Sequence, residues 1–63
     1  MMQYEFYDRE GNFIGDWREP GGRAVIQGEE MKMDVLGQTA TQWKVMAASE
    51  PVDEVQKVTV RPI

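Results

Sequence analysis

Apolar and polar residues alternate with a period of two along much of this 63-residue chain, and that alternation decides the fold class. Met2, Tyr4 and Phe6 alternate with Gln3 and Glu5, and Phe13, Gly15 and Trp17 alternate with Asp16 and Arg18. Successive side chains of a strand point to opposite faces, so each apolar set defines one face of a sheet. Gly, Pro and Asn interrupt the pattern at intervals of about 8–12 residues, the rhythm of a small all-β domain. No linker, repeat or low-complexity stretch divides residues 1–63, which read as a single small domain.

Loop lengths and apolar patterns predict the registers. A four-residue loop at Asp8-Arg9-Glu10-Gly11 would set Phe6 opposite Phe13, Tyr4 opposite Gly15 and Met2 opposite Trp17, with all the apolar partners on one face. A turn at Gly28-Glu29 would pair Ile26 with Met31 and Ala24 with Met33. A turn at Gly37-Gln38-Thr39 would set Val35 against Thr41 and Met33 against Trp43. A turn at Pro51-Val52-Asp53-Glu54 would set Ala47 against Val58 and Val45 against Val60. Residues 39–50 carry a competing helical signal. Thr39 and Gln42 fit a capping box, Trp43, Met46 and Ala47 share a helical face, and Pro51 supplies a stop. The strand reading is preferred, because Thr41, Trp43, Val45 and Ala47 satisfy hairpins on both sides at once.

The expected fold is therefore all-β, an antiparallel meander of five or six strands closing into a small barrel. Its expected core is Tyr4, Phe6, Phe13, Trp17, Ile26, Met31, Met33, Trp43, Val45, Val58 and Val60. Gly28-Glu29-Glu30, an alternating strand and then Trp43-Lys44-Val45 resemble the middle strands of SH3-like small barrels. The resemblance covers about half of the chain and implies architecture alone.

Composition removes most chemistry. Without Cys or His there is no disulfide, no Cys or His zinc site and no imidazole base. Ser49 is the only serine, and no Lys lies near it in sequence to act as a base. No glycine-rich phosphate loop or dinucleotide fingerprint is present. The acids fall in turns and on the polar face, and a chain this short has little volume for a substrate cleft, so no catalytic residue is expected. Asp8-Arg9-Glu10-Gly11-Asn12 lacks the spacing of a calcium loop and reads as a turn. No metal and no cofactor are expected. Eleven acids against seven scattered bases, a net charge of −4, argue against nucleic acid as the partner. No apolar run approaches the length of a membrane span, and Met1-Met2-Gln3-Tyr4-Glu5 lacks the pattern of a signal peptide, so a cytoplasmic protein without membrane attachment is expected.

The predicted outer face is mostly charged, yet it also carries Tyr7, Ile14, Val25, Leu36 and Met46, with Val55 in the same position on the last strand. Isolated exposed apolar residues are ordinary, whereas several gathered into one patch mark a contact surface. The expected function is that of a non-catalytic binding module, accessory subunit or self-associating protein, with a protein partner or a second copy bound through Tyr7, Ile14, Val25, Leu36 and Met46. Two alternatives stay open: an acidic inhibitor or nucleic-acid mimic, and a nucleic-acid-binding small barrel.

Overall fold

A computed structural model describes residues 1–33, 39 and 41–63. It contains five strands, β1 (Met2–Tyr7), β2 (Phe13–Glu19), β3 (Glu30–Lys32), β4 (Gln42–Ala48) and β5 (Val55–Pro62), and no helix among the described residues. They form one curled sheet, a half-barrel, in the order β2-β1-β5-β4-β3. The hairpin pairs β1–β2, β3–β4 and β4–β5 are antiparallel, but β1 and β5 are parallel. The sheet is thus mixed, which corrects the all-antiparallel expectation, and the reason is parity. When five strands alternate in direction, the first and fifth point the same way, so the pair that rolls the meander up must be parallel. The curl stops at the seam between β2 and β3, which do not pair. The strand expected at Ala24 and Ile26 does not form, and residues 20–29 are a non-strand connection.

The β1–β2 hairpin keeps the expected faces along β1 and residues 15–19 of β2, but it shifts the register and reverses the faces of Phe13 and Ile14. Its loop spans residues 8–12 and is closed by the Asp8 N–H donating to the Asn12 carbonyl at 2.9 Å. The Asp8 carboxylate organises the loop, accepting from the backbone N–H groups of Glu10 and Asn12 at 2.9 Å each. Gly11 supplies the positive φ of 88° that the turn needs. Tyr4 then lies opposite Trp17 and Phe6 opposite Gly15, while Tyr7 lies opposite Phe13 and Ile14 is the extra residue of a bulge. A bulge reverses the alternation beyond it. Phe13, expected in the core, is 58% exposed and meets Tyr7 edge-on, with ring centroids 5.7 Å apart. Ile14, expected outside, packs against the core. Trp17 lies across from buried Tyr4 but is 54% exposed, because its strand borders the open seam.

Residues 42–48 are strand, and Val45 lies opposite Val60 as expected. A second bulge at Met46 moves Val58 from Ala47 to Ala48. Met31, rather than Met33, is opposite Trp43, and the Met33 N–H donates to the Thr41 carbonyl at 2.9 Å. The pairing expected for Val35, and all but Thr39 of the turn expected at Gly37-Gln38-Thr39, lie outside the described residues. β4 and β5 join through a tight turn in which Val52 and Val55 exchange both backbone hydrogen bonds at 2.9 Å.

Tyr4, Phe6, Val25, Trp43, Val45, Val58 and Val60 form the core, with Met31, Met33 and Ile14 packed against it. Burial of each large apolar side chain contributes about 1.5–3 kcal/mol. Ile26, expected in this set, is 66% exposed because its segment leaves the sheet. Its neighbour Val25, expected on the outer face, takes the buried position. Among the described residues, Gln56 is the buried polar one. Its side-chain amide accepts from the Val25 N–H and donates to the Val25 and Ser49 carbonyls, all at 2.9 Å, tying the connection to β5 as a strand partner would.

Candidate interaction surface

Among the described residues, β2 and β3 face each other across an unpaired seam. Between β2 and β3 lies a cleft of about 710 Å³, floored by Tyr4, Phe6 and Val25. Trp17 and Glu19 of β2 form one wall, and Glu30, Met31 and Lys32 of β3 with Met33 form the other. Alternation places Tyr4 and Phe6 on the inner face of β1, where both are buried in the core beneath the cleft.

Local chemistry fixes the rim. The Trp17 indole Nε1 donates to the Glu19 carboxylate at 2.7 Å, a contact between residues two apart on the same face. The Tyr4 hydroxyl donates to the Arg23 carbonyl, holding the connection down on β1. Gly22 allows that approach, since a Cβ there would lie 2.9 Å from both the Tyr4 hydroxyl oxygen and the Glu19 Cβ. Arg23 grips Glu29 with both guanidinium nitrogens, Nη1 at 3.2 Å and Nη2 closer, and the Ile26 N–H donates to the same carboxylate at 2.6 Å. The Arg23 contact first, and the Ile26 hydrogen bond second, hold the Glu29 carboxyl below its ordinary pKa. The clamp leaves Ile26 on the surface beside buried Val25.

The five residues expected to form one outer patch do not come together among the described residues. Val25 is buried at 8% exposure and Ile14 packs inward through the β2 bulge, so neither supplies an open contact surface. Tyr7 stays on the outer side of β1, half-covered, and donates to the Glu5 carboxylate at 3.2 Å. Burial first and Glu5 second push its phenol pKa up. Met46 projects from the β4 bulge at 38% exposure, two strands away from Tyr7. Leu36 lies outside the described residues. Sequence alternation assigned Trp17 and Ile26 to the core, and the seam that exposes Trp17 has no local sequence signal.

No convergence of three acidic side chains suited to a metal occurs among the described residues, and no helix there is long and apolar enough to cross a membrane. Comparison with protein-family models, curated proteins and solved structures finds no match for this chain.

Proposed function

We propose that this protein is a non-catalytic small β-domain that works by contact with another protein chain, and that the contact surface is the seam between β2 and β3. The observation that carries this reading is Trp17, a large aromatic residue 54% exposed at the mouth of a cleft floored by Tyr4, Phe6 and Val25. Buried aromatic anchors supply much of the energy of protein interfaces, and Trp is among the most enriched of them. Exposed Ile26 adds apolar area next to the buried Val25. The architecture we assign is an SH3-like small barrel left open at one seam. Its support is the cyclic strand order, which is that of a rolled five-strand meander. A reducing, cytoplasmic setting suits a chain without cysteine.

The test compares wild type with Trp17→Arg and with Tyr7→Arg, each immobilised and exposed to host lysate, with retained proteins identified by mass. Partners lost by Trp17→Arg but kept by Tyr7→Arg place the contact at the seam. Identical retention by wild type and Trp17→Arg removes the seam as the contact surface. Salt-sensitive retention of single-stranded nucleic acid by wild type would replace the reading with the nucleic-acid one.

A further inference from the structure

We propose that the partner at this seam is a second copy of the chain, joined by antiparallel pairing of β2 with β2 about a twofold axis through Trp17. The proposal rests on the contact reading above and adds the occupant and the register. It would join two five-stranded sheets into one continuous sheet.

Among the described residues, the backbone shows which groups are free. The Gln3 N–H donates to the Glu54 carbonyl at 2.8 Å, so Gln3 turns its backbone groups toward β5. Its neighbour Tyr4 then turns toward β2, where it meets Trp17. Along β2 this directs the backbone of Gly15, Trp17 and Glu19 toward β1, and the N–H and C=O groups of Asp16 and Arg18 outward at the sheet edge. Only registers that place outward residues opposite outward residues can join the two edges.

Charge chooses among those registers. Pairing centred on Asp16 sets two carboxylates face to face, and pairing centred on Arg18 sets two guanidinium groups face to face, while bringing Asp16 opposite Pro20, which has no N–H. Pairing centred on Trp17 sets Asp16 opposite Arg18 of the second copy, twice. Trp17 then faces its own counterpart in the closer, non-hydrogen-bonded position, and Glu19 faces Gly15, which opposes it with no side chain. The shape of the strand leads to the same centre. The Ile14 bulge ends regular pairing on one side and Pro20 on the other, leaving residues 15–19, whose midpoint is Trp17. Neither Lys nor Pro interrupts those residues to protect the edge.

The experiment measures mass in solution against concentration for wild type, Asp16→Arg and Arg18→Asp, each checked for fold by circular dichroism. All three side-chain positions involved, 16 to 18, are exposed in the monomer. Wild type should dimerise. Each single variant turns two attractive pairs into repulsive ones and should raise the dimer Kd by about tenfold or more. An equimolar mixture of the two variants should form a heterodimer, because every pair is again opposite in sign. Homodimers unaffected by the single changes, or a mixture that stays monomeric, would overturn the register. A wild type that is monomeric at about 1 mM chain would overturn self-pairing. In that case, loss of retained partners on Trp17→Arg leaves the seam as a contact surface for another protein, whereas unchanged retention removes both readings.

Discussion

Gln56 occupies an inward position of β5, in line with Val58 and Val60, yet its work is polar. It satisfies both backbone groups of Val25 and the Ser49 carbonyl. Gln56→Met keeps roughly the same volume and is more apolar, but it leaves the two buried backbone groups of Val25 without partners. The expected loss is about 2–4 kcal/mol by urea unfolding, since each orphaned buried group costs about 1–3 kcal/mol. A Gln56→Met variant as stable as wild type would show that the connection needs no such tie. Trp43 and Phe13 form a second contrast. Trp43 is 2% exposed, and its indole N–H has no partner among the described residues, so its contribution is packing. Trp43→Ala should cost about 3–5 kcal/mol, and Phe13→Ala, on the outer side of the bulge, about 1 kcal/mol or less. Equal losses for the two would put Phe13 back in the core.

The β4–β5 turn carries its own strain. Asp53 and Glu54 both adopt positive φ, 52° and 64°, between the paired Val52 and Val55. A two-residue hairpin turn of this hand favours Asn or Asp followed by Gly, and Asp53 fits where Glu54 does not. Glu54→Gly should therefore stabilise the protein by about 0.5–1 kcal/mol, read as a higher melting temperature. The Glu54 carboxylate lies 3.9 Å from the terminal amine, but both groups are well exposed, so its loss offsets little. A lower melting temperature would mean that the turn adopts another form. At this scale the sequence is legible in its parity and in the Val45–Val60 pairing, and illegible in its other registers. Tyr4, Phe6, Val45, Val58 and Val60 face inward as the alternation predicts, because that needs only a period of two. The bulges at Ile14 and Met46 are not legible, since the curl of the sheet, and no local residue type, calls for an extra residue there. The alternation that identified strands also assigned one to Ala24 and Ile26, where the Arg23–Glu29 clamp and the bonds of Gln56 to Val25 hold the chain off the sheet. Gln56 is 31 residues from Val25, and no hairpin rule reaches that far. The open seam between β2 and β3 is flanked by that displaced segment, so it is unreadable for the same reason.

At the scale of the whole molecule, two loops at different points of the sheet depend on ionised carboxylates. Asp8 closes the β1–β2 hairpin, and its pKa is lowered chiefly by the Asn12 backbone N–H, with the Asn12 side chain and the Glu10 N–H adding to it. Glu29 clamps the connection beside β3, and its pKa is lowered chiefly by Arg23. Both folded pKa values therefore lie below those of the unfolded chain, which takes up protons first as the pH falls. The stabilisation is complete at neutral pH and down to about pH 5, and is lost as the pH drops through the unfolded carboxylate range near 4 toward the lowered folded values. The urea midpoint should accordingly fall between pH 6 and pH 3. Protonation of the other acids also contributes, because it converts a net charge of −4 into a positive one that repels itself. The double variant Asp8→Asn, Glu29→Gln separates the two causes. It should be less stable than wild type at pH 6 and show a shallower decline with acid, since the general charge effect remains while the two linked protonations are gone. An undiminished slope in the double variant would assign acid sensitivity to net charge alone and leave the two loops without a role in it.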